Sequence, residues 1–243
     1  MTPSPITERP HAATARESVD VEPVVVRVGS LDLAGDLAVP TAARGVVVFA
    51  HGSGSSRLSP RNRAVAAALN DGGLATLLFD LLTVAEEADR SNVFDIPLLG
   101  RRLADATRWL RDHPPAQHLP IAYFGASTGA AAALWAAAER GVEIASVVSR
   151  GGRPDLAAAR LEEVRAPTLL IVGGLDTTVL ALNADAQSHL RCANRLEIVP
   201  GATHLFEERG ALDRVATLAL DWFVRWFDPG RRSDRDRSLP DEG

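Results

Sequence analysis

Two kinds of apolar patterning alternate along the chain. Short runs with almost no polar member, Val46–Ala50 and residues 74–79, 121–124, 144–148 and 168–172, suit strands buried on both faces, and 196–199 is a less regular example. Between them lie longer stretches, 61–70, 98–111, 127–139, 179–190 and 207–227, where apolar residues recur at helical spacing. Ahead of these, 21–28 and 31–39 flank Gly29-Ser30 and predict an opening hairpin. Each gap between buried runs is long enough for a crossover helix. The pattern therefore predicts an α/β fold, a mostly parallel eight-stranded sheet flanked by helices on both faces.

Composition narrows the picture. At 243 residues and 46% hydrophobic content the chain is expected to form one domain, over 21–228. The flanks, 1–20 and 229–243, have little to bury and are expected to be disordered. A net charge of −5 and a pI near 5.7 offer no field for nucleic acid. All 26 basic residues are arginines, so lysine Schiff-base chemistry and a nucleotide P-loop are excluded. The lone Cys192 cannot form an internal disulfide. No apolar run is long enough to span a bilayer and the first twenty residues do not read as a leader, so a cytoplasmic protein without membrane association is expected. His113, His118 and His189 lack metal-ligand spacing, and neither metal nor cofactor is expected.

A parallel sheet binds ligands at the carboxyl ends of its strands, and the polar residues there form a set. Gly125-Ala-Ser127-Thr-Gly129 places a serine between glycines where a strand turns directly into a helix, a turn with little room for Cβ atoms on either side. Gly173-Gly-Leu-Asp176 follows the 168–172 run, and Pro200-Gly-Ala-Thr-His204 follows the last strand. A serine hydroxyl needs a neutral imidazole to take its proton and a carboxylate to orient that imidazole, which casts Ser127, His204 and Asp176 as nucleophile, base and acid. Asp176 also stands where it could cap the following helix. Should Asp176→Asn keep near-wild-type activity, Asp80 or Asp95 becomes the acid to examine. The loop His51-Gly-Ser-Gly-Ser-Ser-Arg57 would supply an oxyanion donor, Ser53 N–H or its neighbour at Gly54, beside Thr128 N–H. The same loop could instead bind an anion, and His51 is placed to buttress it.

With these residues in place, the chain resembles an α/β-hydrolase of the dienelactone-hydrolase-like group over residues 21–228. The order Ser127, Asp176, His204 and the His51–Gly54 loop match the family's nucleophile elbow, acid, base and oxyanion loop. Dienelactone hydrolases carry a cysteine nucleophile, with arginines holding the substrate carboxylate. With serine at the elbow, the resemblance implies a serine esterase. The segment Ser149-Arg-Gly-Gly-Arg153-Pro-Asp also resembles hydrolases fused to phosphoribosyltransferase domains, without indicating a substrate. Only 151–165 is available for an inserted lid, so a minimal or absent lid and small or medium acyl groups are expected. Phe94 is a candidate pocket residue, and Arg150 and Arg153 are candidates for a substrate carboxylate. Thioesterase, peptidase or acyltransferase chemistry uses the same triad. A noncatalytic binding protein is the remaining alternative. The partner expected is a small-molecule ester, with the oligomeric state open.

Overall fold

A computed structural model describes residues 19–228, so the expected flanks fall outside the described residues except for Val19 and Asp20. Eight strands form one sheet in the order β1-β2-β4-β3-β5-β6-β7-β8. They are β1 Val21–Val28, β2 Leu31–Ala38, β3 Val46–Ala50, β4 Ala75–Phe79, β5 Ile121–Ala126, β6 Val147–Arg150, β7 Thr168–Gly173 and β8 Asn194–Val199. The first hairpin and the β2–β4 pair are antiparallel, and β4 through β8 run parallel.

The apolar runs are explained by two cores, one on each face. Val46 and Val48 of β3 point to one, Val47 and Phe49 to the other, so no position on that strand meets water. The first face carries α4 Ile96–Arg111, α5 Thr128–Ala137 and α6 Thr177–His189. The second carries α1 Pro60–Asp71 and α7 Ala211–Phe227. On α4 the buried Leu99, Leu103, Ala106 and Leu110 form a helical stripe, with polar residues opposite. Helix α5 is buried nearly all round, and its alanine side chains let it lie close to the sheet between α4 and the β6–β7 connection. On α7, Trp222, Phe223 and Phe227 seal the second face.

Helix starts fall into two sets. Ser59 caps α1, Thr83 caps the short α2 Val84–Glu87 in a reciprocal box with Glu86, Asp89 caps α3 Arg90–Val93, and Asp95 caps α4. Helices α5, α6 and α7 begin at Ser127, Asp176 and Gly210 with no side-chain cap.

The structure corrects some predicted bounds. The sixth strand is Val147–Arg150 and not 144–148, because Ala145 N–H already bonds Ile121 O from a bend while Ser149 and Arg150 continue the ladder. Helix α7 starts at Ala211, after Gly210 at φ 78°, and not at 207. Among the described residues no large lid is inserted. The β6–β7 connection holds a 3-10 segment, Pro154–Glu163, and the β4–α4 connection holds α2 and α3.

Candidate active site

Strand β5 becomes helix α5 through a single residue, Ser127, at φ 52° and ψ −122°. A non-glycine residue in this region is strained by about 1–3 kcal/mol and needs its surroundings to hold it. Those surroundings are main chain. Ser127 N–H donates to Arg150 O at 3.2 Å, and Ser127 O accepts from Ala130 and Arg153 N–H, each at 3.1 Å. The neighbouring glycines follow from contact distances. A Cβ on Gly125 would stand 2.4 Å from Ala130 Cα, one on Gly129 2.1 Å from Ala50 O, and one on Gly52 3.0 Å from Ser127 Cβ.

The loops after β7 and β8 are tied together. Gly174 N–H bonds Val199 O at 2.9 Å, and Leu175 N–H bonds Ala202 O at 3.0 Å. On this frame His204 Nδ1 lies 2.7 Å from Asp176 Oδ2. A carboxylate only accepts, so Nδ1 carries a proton, which in the neutral ring leaves the lone pair on Nε2. Asp176 occupies the N-cap position of α6 yet makes no capping bond, because its carboxylate is turned to His204. The other two carboxylates are committed elsewhere. Asp80 holds Arg57 through its N–H at 2.8 Å and its Nη1 at 2.7 Å, and Asp95 accepts from Leu98 N–H.

Gly151 joins the halves of the site. It follows the residue whose carbonyl holds Ser127, and its Cβ would lie 3.5 Å from His204 Nδ1. Serine, histidine and aspartate are thereby gathered at the carboxyl edge. Among the described residues no hydrogen bond links Ser127 Oγ to His204, and such bonds are often long until a substrate is in place.

The loop after β3 is anchored at three points. Buried His51 bonds Gly52 O through Nδ1, and its Nε2 accepts from Leu81 N–H at 3.1 Å. Burial pushes the His51 pKa down, so the ring is a neutral brace. Arg57 is clamped by Asp80, as above. The third anchor departs from expectation: Ser53 N–H donates to Thr128 Oγ1 at 2.8 Å, so this amide is committed within the protein. Sequence reasoning placed the loop and expected His51 to buttress it, but missed the Asp80 and Thr128 anchors, which join residues 23 and 75 positions apart.

The two candidate arginines differ. Arg153 is paired with Asp155 through Nε and Nη2 at 2.9 and 2.8 Å. Arg150, 7% exposed, has no hydrogen-bond partner for Nε or Nη1 among the described residues. Burial pushes its guanidinium down to about 10, helped by the charge of Arg61. A narrow cleft beside the β3 loop is lined by Ser53, Leu81, Leu82, Val93 and Thr128. Phe94 does not line it and is half exposed. Among the described residues no group of His, Cys, Asp and Glu is arranged for a metal, and no helix is long and apolar enough to cross a membrane. Cys192 sits between α6 and β8, and burial raises its thiol pKa.

Comparison with known proteins agrees with this fold. A solved dienelactone hydrolase from Anabaena variabilis ATCC 29413 is 56% identical with a TM-score of 0.84, covering 86% of this chain and 99% of that one. A Mycobacterium tuberculosis protein named "Putative phosphoribosyl transferase MT0597" is 60% identical over 203 residues, 84% of this chain. Those residues span 46% of that relative, so this chain corresponds to under half of it. Est1E from Butyrivibrio proteoclasticus, 15% identical with a TM-score of 0.71 over 84% of this chain and 98% of that one, shares the fold. No family model matches the chain.

Proposed function

This chain belongs to the dienelactone-hydrolase-like group of the α/β-hydrolase superfamily, and on that premise we propose that it is a serine hydrolase cleaving carboxylic esters of small or medium acyl groups. The observation that carries the reading is the 2.7 Å His204–Asp176 pair set at the same sheet edge as the strained Ser127 turn. His204 Nε2 takes the proton as Ser127 Oγ attacks the acyl carbon, and the carbonyl electron pair moves onto oxygen. As that pair returns, the alcohol leaves with the proton from His204, and Ser127 holds the acyl group. Water, losing a proton to the same nitrogen, then frees the acid and restores Ser127. Asp176 fixes the tautomer and stabilises the imidazolium. The 56% identity to a protein named a dienelactone hydrolase supports an ester or lactone bond as the target, and the short β6–β7 connection supports a small acyl group.

Reaction with a fluorophosphonate followed by peptide mass mapping tests the assignment. The adduct is expected on Ser127 and absent from Ser127→Ala, which loses ester turnover. Folded wild-type protein that turns over no ester and takes no label at Ser127 refutes it.

Arg150 favours one refinement. A buried guanidinium with two of its three nitrogens unpartnered is costly, and a carboxylate or phosphate on the substrate would relieve it. Esters matched in leaving group but differing in an acyl-side carboxylate should show a lower KM for the anionic member, a preference lost in Arg150→Met. Equal KM values in wild-type enzyme count against this refinement alone.

A further inference from the structure

The hydrogen bonds around Ser53 raise the question of which group receives the charge developing on the carbonyl oxygen. Ser53 N–H, the amide expected to face that oxygen, instead donates to Thr128 Oγ1 at 2.8 Å. Thr128 is 4% exposed and opens α5, and it lines the narrow cleft together with Ser53, Leu81 and Leu82. A threonine hydroxyl has one proton and two lone pairs. Here one lone pair is taken by Ser53, and the proton has no acceptor among the described residues. A hydroxyl that accepts a hydrogen bond becomes a better donor, and a desolvated setting strengthens the effect.

We propose that the Thr128 hydroxyl is the second oxyanion donor, with Ser53 N–H holding and polarising it. The inference rests on Ser127 being the nucleophile. Thr128 then supplies two donors, its backbone N–H at the start of α5 and its side-chain O–H, both beside the residue that attacks. When Ser127 Oγ bonds the acyl carbon, the displaced carbonyl pair sits on an oxygen receiving both hydrogen bonds. Thr128 keeps its proton throughout. When the pair re-forms the carbonyl, the alcohol departs with the proton from His204. The competing arrangement has Ser53 N–H turn from Thr128 to the oxyanion as substrate arrives. In that case the threonine hydroxyl competes with the reaction.

The two arrangements predict opposite results. Wild type, Thr128→Val, Thr128→Ser and Ser127→Ala are assayed with 4-nitrophenyl acetate and butyrate, and melting temperatures are recorded. Thr128→Val keeps the shape and removes the hydroxyl. Its kcat is expected to fall by about 10²- to 10³-fold, the loss typical for one oxyanion donor, with KM little changed. Thr128→Ser keeps the hydroxyl and is expected to retain most of the activity. Thr128→Val turning over at the wild-type rate or faster overturns the proposal in favour of the Ser53 amide. An equal loss in both Thr128 variants assigns the effect to packing of the methyl group and also overturns it. Ser127→Ala with wild-type turnover, or a wild type inactive on both esters, removes the serine mechanism and this proposal with it, an outcome distinct from failure of the hydroxyl alone.

Discussion

Replacing Gly129 with alanine should disable the site while leaving every chemical group in place. The added Cβ would stand 2.1 Å from Ala50 O and 2.4 Å from His51 O, and ordinary contact begins near 3.4 Å. The start of α5 and the end of β3 must therefore part by about 1.3 Å, the difference between these two distances. Neither side yields easily, since β3 is hydrogen-bonded to a strand on each side and α5 is buried between α4 and the β6–β7 connection. Overpacking of this kind costs about 1–3 kcal/mol of stability, which for a domain this size lowers Tm by about 2–4 °C per kcal/mol. The larger effect is on rate. The two donors of Thr128 ride on α5, and Ser53 rides on the loop after β3. A displacement near 1 Å between catalytic parts costs about 10²-fold in rate. Ester turnover, as kcat and KM separately, and a thermal melt check both numbers. Wild-type kcat in Gly129→Ala would show that the elbow tolerates the side chain and refute the steric account of the second glycine.

Three further outcomes follow from particular contacts. Ser127→Gly should lose turnover yet gain about 1 kcal/mol of stability, because glycine adopts φ 52° without strain, and a melting temperature below wild type contradicts the strain assignment. Arg150→Met should also raise the melting temperature, since methionine fills similar space without burying the unpartnered Nε and Nη1 of a charged group, and a clear decrease argues for a structural partner of the guanidinium. For Glu86, burial pushes the pKa up but is outweighed by bonds from Thr83 N–H and hydroxyl and by Arg102, so the folded pKa lies below the unfolded one. A lowered carboxyl pKa contributes stability at neutral pH that is lost as pH falls through the folded value. Glu86→Gln should be less stable than wild type by about 1 kcal/mol at pH 7. The gap should begin to narrow as pH falls past the ordinary glutamate pKa of about 4.3 and close below the folded value, and urea titrations along this acid range that give a constant gap would exclude the linkage.

The fold was legible where burial on both faces forced a uniform run, as in Val46–Ala50, whose predicted and observed bounds coincide. It was less legible at β6. There Ser149 and Arg150 are polar residues inside the ladder at 0% and 7% exposure, so the apolar pattern ended before the strand did. The capping box at Thr83 and Glu86 carries a recognisable spacing, yet it lies between the predicted strand 74–79 and helix 98–111, where no element was expected. The positions of Ser127, Asp176 and His204 were readable because each stands just past a strand. Asp176 was readable as the carboxylate facing His204 from its place after the 168–172 run, but the partners that occupy Asp80 and Asp95, Arg57 and the Leu98 N–H, were not. Ser53 illustrates the same limit: the sequence locates its amide but not the hydroxyl 75 positions away that receives it.

The uneven distribution of helix caps bears on how this enzyme could be made hardier. An engineer looking for easy gains would turn first to the three helices that start without a side-chain acceptor, and two are closed to improvement. Ser127 cannot fold back over its own helix and still present its hydroxyl outward, and an Asp176 carboxylate drawn onto α6 would abandon His204. Amide hydrogens in the exposed first turn of α6 should accordingly exchange with solvent sooner than those of capped α1 and α4, whereas burial protects the uncapped start of α5. Gly210 is the exception. Its Cβ would meet nothing within 4 Å, and asparagine tolerates the left-handed backbone found there while offering an oxygen to the free N–H groups of α7. Thermal tolerance can therefore be added at the far end of the base loop, where it does not compete with catalysis.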